Sequence, residues 1–226
     1  MRAWTGFNQH YKNSAGFTVI EMIVVLAIIG ILTGIVFSGR TNFNSTVLLS
    51  NTAYDIALSI RNVQNLGISS RAATAPAGID NAAGYGIHLT LGNTAVIFKD
   101  IDPVAPITNI NGCHYSNGGA YTPASHPGNC VYSATKNEKY QDLSIGNGIT
   151  ITRLKTYPES GSGSDVSFID ISSVRPNPEL FIADTFSNSP TLKAKACITV
   201  SAPQGEKRYI LVTKSGLITT NVSGCP

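Results

Sequence analysis

The sequence predicts an α+β chain in which one long N-terminal helix packs on an antiparallel β-sheet domain. Three observations predict it: an apolar run from Phe17 to Phe37 with a single charge, an amphipathic stripe after it, and a remainder of short alternating runs rich in Gly, Ser, Thr and Asn. At 226 residues the chain has enough apolar content, 42%, to fill one core. Those residues are spread unevenly, which separates a membrane-like segment from one soluble domain.

Residues 1–16, MRAWTGFNQHYKNSAG, are polar and weakly basic, and the apolar run begins only after them. An ordinary secretory signal is cut behind small residues that follow its apolar stretch. Here the marked boundary precedes the stretch, at Ser14-Ala15-Gly16 before Phe17, and no A-x-A-like site follows Val36. The run FTVIEMIVVLAIIGILTGIVF gives about 32 Å of helix at about 1.5 Å per residue, enough to cross a bilayer core. Glu21 is its anomaly, because an ionised carboxylate inside an apolar span is costly unless it finds a partner. A cut after Gly16 creates an α-ammonium at Phe17, one helical turn from Glu21. That pair is too local to be strong within one chain, but the carboxylate is well placed to reach the terminus of a neighbouring molecule and set the axial register between the two.

Gly16-Phe17-Thr18-Val19-Ile20-Glu21, followed by an unbroken apolar helix, resembles the cleavage and methylation segment of type IV prepilins and type II secretion pseudopilins. The resemblance implies a pilin-like fold, cleavage by a membrane prepilin peptidase between Gly16 and Phe17, N-methylation at Phe17, and Glu21 as the assembly glutamate. It also implies a single-pass inner-membrane protein whose C-terminal domain is periplasmic or extracellular. Its partners would be the lipid bilayer, the inner-membrane assembly platform and other pilin or pseudopilin subunits, met through the N-terminal helix. Many major pilins carry a proline near the end of the membrane segment, where this chain has Ser38-Gly39. Gly39 weakens the helix there by about 1 kcal/mol relative to Ala. Gly30 and Gly34 form a G-x-x-x-G that suits close helix contact and is also common in apolar helices.

From Ser45 the pattern turns amphipathic. Leu49, Ala53, Ile56, Ile60 and Val63 recur at steps of four and three, with Ala57 beside them, while Asn51, Asp55, Ser59, Arg61 and Asn62 fall elsewhere. This stripe requires a sheet to cover it, and the helix is expected to end between Gly67 and Ala72, before Pro76 and Gly78. The expected division is therefore a leader, 1–16; a transmembrane and assembly helix, 17–38; the amphipathic half of the helix, 39–72; and a β-rich domain, 73–226. Leu48 to Arg71 resembles, more weakly, the helix of the pseudopilin H and FimT-like minor pilin branch.

Tyr85 to Leu91 and Ala95 to Lys99, joined at Gly92-Asn93, read as a hairpin. Ile149 to Lys155, Val166 to Ile171 and Leu192 to Val200 read as further strands, and Arg208 to Thr213 with Leu217 to Thr220 as a last hairpin about Ser215-Gly216. Gly161 to Ser164 is a short connection, and Pro176 and Pro178 mark a loop.

Asp100 to Gln141 is a long segment rich in Asn, Gly, Pro and Ser. The four cysteines, Cys113, Cys130, Cys197 and Cys225, include no C-x-x-C pair, and an even count in an exported domain favours disulfides. The expected pairing is Cys113 with Cys130, anchoring the long segment, and Cys197 with Cys225, tying the C-terminal end to a core strand. Cys113, His114, His126 and Cys130 lack the paired spacing of a zinc site. Asp100 with Asp102, and Asp165 with Asp170, lack the run of oxygen ligands that calcium needs, so solvated loop acids are expected.

No metal, cofactor or enzymatic activity is therefore predicted. Ser133-Ala134-Thr135-Lys136 and Lys214-Ser215-Gly216 copy short elements of penicillin-recognising enzymes, but no S-D-N accompanies them. His88 is a strand histidine without an evident acid partner. Lys193, Lys195, Lys207, Arg208 and Lys214 gather in the C-terminal third, and the FimT-like resemblance, a branch implicated in DNA uptake, makes a phosphate-binding patch worth testing. The formal charge of +3 includes Arg2 and Lys12, so a chain beginning at Phe17 carries only 14 basic against 13 acidic residues. Such balance gives no general drive toward DNA or anionic lipid.

Overall fold

The computed structural model describes residues 16–69, 84–101, 128–174, 179–186, 190–220 and 223–226, and for 38–44 the backbone alone. The chain divides into two compact units, Met1–Phe43 and Asn44–Pro226. Helix α1, Val19–Ser69, contributes residues to both.

In the first unit α1 is apolar on all sides. Its mean hydropathy over Val19–Phe37 is 2.8, and every side chain from Val19 to Phe37 is exposed. Water does not favour a helix of this kind; hydrocarbon does, because the helix satisfies its own backbone groups and presents only apolar surface. The segment is long and apolar enough to cross a membrane once.

In the second unit the same helix is one-sided. Leu49, Ala53, Ile56, Ile60 and Val63 are each at most 1% exposed, whereas Asn51, Asp55, Arg61 and Asn62 face water. The buried stripe joins a cluster with Ile87 and Leu89 and with Leu154, Ile198 and Ile210. Burying one such side chain contributes roughly 2 kcal/mol, which is what holds this half of the helix to the strands. The helix ends at Ser69, within the 67–72 interval. In its last turn a Cβ on Gly67 would lie 2.3 Å from the carbonyl oxygen of Ser173, so the close approach there requires glycine.

The strands are β1 (Gly84–Thr90), β2 (Thr94–Asp100), β3 (Lys139–Ser144), β4 (Thr150–Tyr157), β5 (Ser164–Val166), β6 (Phe168–Ser173), β7 (Leu180–Ala183), β8 (Lys195–Ser201), β9 (Lys207–Thr213) and β10 (Ile218–Thr219). They form two five-stranded sheets, ordered β3-β2-β1-β6-β7 and β10-β9-β8-β4-β5, and every pairing is antiparallel. The α+β layout of an apolar N-terminal helix followed by antiparallel sheets is thus the observed one. The hairpin at Gly92-Asn93 is β1–β2, with Gly92 at a positive φ of 116°. Strands β3, β5 and β7 had no counterpart in the sequence reading. Pro176, Pro178 and residues 102–127 lie outside the described residues.

Strand β6 is buried along its whole length, FIDISS, although only three of those residues are apolar. It pairs with β1 on one side and β7 on the other, so its polar side chains lie inside the protein; Asp170 is hydrogen-bonded there, while the Ser172 and Ser173 hydroxyls are buried without a partner among the described residues. Across β1 and β2, Gly86 stands opposite Phe98, and a Cβ on Gly86 would lie 2.2 Å from the fully buried Phe98 ring. The glycine leaves the space that the ring occupies.

Candidate functional site

Gly16, Phe17 and Thr18 precede the helix, which begins at Val19, two residues beyond Phe17. The Oγ1 of Thr18 accepts the amide of Glu21 at 3.3 Å, and the carbonyl of Thr18 accepts the amide of Met22 at 3.2 Å. Thr18 is therefore the N-cap, and Thr18-Val19-Ile20-Glu21 is a T-x-x-E helix start. Glu21 sits exposed in the first turn, where the helix dipole favours a carboxylate by roughly 0.3–1 kcal/mol. This supplies a reason for an acid within the chain itself, which the sequence reading sought only on a neighbouring molecule. T-x-x-E was the signal that could have revealed it.

The same geometry bears on cleavage. Gly16 is exposed with open space where a Cβ would stand, and Phe17 is 79% exposed, so the Gly16–Phe17 bond is free of packing among the described residues. An α-ammonium created at Phe17 would lie at the positive end of the helix dipole, an unfavourable place for a cation unless a carboxylate lies near. Glu21 is the only acidic residue between Gly16 and Phe37. Among the described residues nothing lies within 4 Å of where a Cβ on Gly30 or Gly34 would stand.

Residues 11–37 match the prokaryotic N-terminal methylation motif. No curated protein and no solved structure matches the chain. The motif is type IV prepilin-like and suggests a precursor that is processed and methylated. Its family consists of structural pilin subunits, not enzymes, and implies assembly with other pilin subunits and handling by a prepilin peptidase. The motif and the one apolar helix fit a single-pass, membrane-anchored pilin. The leader residues before Gly16 lie outside the described residues.

In the second unit Cys197 and Cys225 are joined by a disulfide 28 residues apart in sequence. Cys130 is also disulfide-bonded, while Cys113, His114, His126 and Asp102 lie outside the described residues. The five basic residues do not form one patch. Lys207 and Arg208 open β9 opposite Ser201 and Val200, whereas Lys195 stands opposite Thr213 at its far end, about 20 Å along the strand. Lys193 and Lys214 belong to the Lys195 end, where their amides bond to Ile182 and Ala194. Lys193 pairs with Asp184 at 3.3 Å and Lys214 pairs with Glu159. Arg208 reaches Ser50 at 3.4 Å.

Two readings of polar residues are corrected. His88 does have an acid: its Nδ1 lies 2.6 Å from Oδ1 of Asp170, directly across the β1–β6 pairing. Asp100 and Asp170 are strand residues at most 1% exposed, not solvated loop acids. Their oxygens hold a run of backbone. Asp100 accepts the amides of Asn129 and Cys130 at 2.8 and 2.7 Å, and Asn129 Oδ1 accepts that of Val131 at 2.9 Å. Asp170 accepts Tyr132 at 3.3 Å, and the buried Glu138 accepts Ser133 at 2.7 Å and Ile101 at 3.2 Å. Consecutive amides from 129 to 133 thus each end on a side-chain oxygen. Burial, and then the nearby Glu138 charge, push the Asp100 carboxyl well above its ordinary range. Burial also raises Asp170, against the lowering effect of its His88 bond. The His88 ring packs among Tyr132, Phe168 and Phe186. The oxygens of Asp100 and Asp170 are thus taken up by backbone amides and His88, and the network clamps a segment. Ser133 stands at the N-cap position of the 3₁₀ turn Ala134–Lys136 without a side-chain cap bond, and its hydroxyl lies 3.2 Å from that of Thr135.

Proposed function

We propose that the chain is a minor pilin or pseudopilin, a structural subunit of a type IV pilus or type II secretion pseudopilus. In this reading prepilin peptidase removes residues 1–16 by cutting after Gly16, and the Phe17 amine is methylated. Residues 17–38 hold the subunit in the inner membrane until the assembly platform extracts it. Removing the apolar helix from lipid is offset by packing it against the same helix of other subunits. Glu21 then meets the Phe17 ammonium of an adjoining subunit, which fixes the stagger between them. Residues 39–69 complete the helix, and residues 73–226 form the β-rich domain in the periplasm or outside the cell. The weak likeness of residues 48–71 to the pseudopilin H and FimT-like branch favours a minor over a major subunit.

The observation that carries this reading is a capped helix start with one exposed acid, Glu21, in its first turn, leading into a wholly exposed apolar helix inside the methylation motif. Its test is Glu21→Ala. Filament assembly is expected to fail while membrane insertion and cleavage persist; normal assembly by the variant would refute the role given to Glu21.

A second reading, a DNA-binding minor pilin acting through Lys193, Lys195, Lys207, Arg208 and Lys214, draws less support. The five residues fall at two ends of β9, and two of them are paired with acids. Salt-dependent retention of duplex DNA by the purified protein, lost in Lys207→Ala with Arg208→Ala, would revive it.

A further inference from the structure

A groove of about 580 Å³ runs between α1 and β3 in the second unit. One wall is a single helix line, Thr52, Asp55, Ser59 and Asn62, and the other is Gln141 and Leu143 of β3. Ile56, Ile97 and Ile145, all buried, lie beneath. The helix line is about 15 Å long at about 1.5 Å per residue, the length of four or five extended residues.

Strand β3 stands at the edge of its sheet, with β2 as its neighbour. The amide of Ile145 donates to Asn93 at 2.8 Å, and Gln141 and Leu143 continue that phase in regular register opposite Ile97 and Ala95. Because backbone groups alternate in direction along an antiparallel pair, the N–H and C=O groups of Asp142 and Ser144 point away from β2, to an edge that no described strand pairs with. A row of alternating donors and acceptors at strand spacing is complemented by another polypeptide backbone. Asp55 is the one ionisable residue of the lining, and among the described residues its carboxylate has no hydrogen-bond or ion-pair partner. An uncompensated carboxylate at the rim selects a cationic side chain.

We propose that this groove binds an extended peptide segment as a strand added to β3, with apolar side chains over Ile56 and Ile145 and a lysine or arginine against Asp55. The proposal is independent of the N-terminal processing described above.

The test uses the full chain in detergent micelles and a fluorescent, end-capped peptide, Val-Thr-Lys-Thr-Val. Anisotropy is expected to report saturable binding, and amide exchange over residues 139–145 to slow with peptide. Asp55→Asn should weaken binding by up to about fivefold, the scale of an exposed ion pair. Asp142→Pro removes an outward amide that the β2 ladder does not use, so it should abolish binding while thermal melting stays unchanged. A backbone-methylated copy of the peptide should not bind. The proposal falls if the methylated peptide binds equally, if no lysine peptide binds, or if Asp55→Asn has no effect. It also falls if exchange at 139–145 slows with protein concentration alone, since the edge then belongs to a second copy of the chain.

Discussion

Between Val19 and Phe37 every apolar side chain of α1 is exposed, whereas between Leu49 and Val63 the apolar side chains spaced four and three apart are buried. One helix thus contains two solutions to the same problem. An apolar surface on all sides can be satisfied only by a continuous apolar surrounding, lipid or other helices, while a stripe can be satisfied by one sheet-lined core. The acids follow the same division. Glu21 stays at the helix start, where dipole and solvent favour it, but Asp100 and Asp170 are buried and are matched bond for bond by backbone amides and His88.

The sharpest way to break this comparison is to truncate one residue in each half. Ile60→Ala opens the core and is expected to destabilise the β-rich unit by about 2–5 kcal/mol in chemical denaturation. Ile28→Ala, of the same chemistry, should leave that unfolding transition where it is. If both variants shift it equally, the first half is also part of the folded core and the division is wrong.

The next largest effect is expected at the disulfide. Replacing Cys197 and Cys225 together by Ser frees a loop of 28-residue separation, for which the chain-entropy model gives about 3.6 kcal/mol. Thermal melting should fall accordingly, with insertion into detergent or lipid unaffected. A change in insertion without a change in melting would reverse the roles of the two halves.

A smaller effect, with a defined sign, comes from the clamp. The Asp100 carboxyl is raised well above its ordinary 3.8 in the folded protein by burial and by Glu138. The native state therefore holds this proton more tightly than the unfolded chain does. Stability from this group is full below about pH 3.8 and declines as pH rises toward the raised value. Asp170 acts in the same direction, with His88 opposing it. Melting temperature measured from pH 4 to 8 should decline less steeply in Asp100→Asn than in the parent. An unchanged slope would remove Asp100 from the account.

How much of this was legible in the sequence depended on whether a signal was local. The amphipathic stripe and the Gly92-Asn93 hairpin repeat over a few residues, and both were readable. Strand β3, KYQDLS, was not, because as an edge strand with nearly every side chain exposed it shows no apolar alternation. Strand β7 is only four residues long, and β5 three. The His88–Asp170 pair joins residues 82 apart in sequence, so no window contains both. An acid inside the apolar run FIDI was nevertheless a local hint that Asp170 is buried and partnered. At the N-terminus, attention to the acid as an intermolecular partner hid its simpler role beside the Thr18 cap.

The central claim is that the apolar half of α1 begins a mature chain whose new amine and Glu21 serve assembly. Mass spectrometry of the protein isolated from membranes tests it most directly. The account predicts an N-terminal peptide that starts at Phe17 and is one methyl group heavier than its sequence. A chain that retains Met1, or one that begins beyond Phe37, would contradict it.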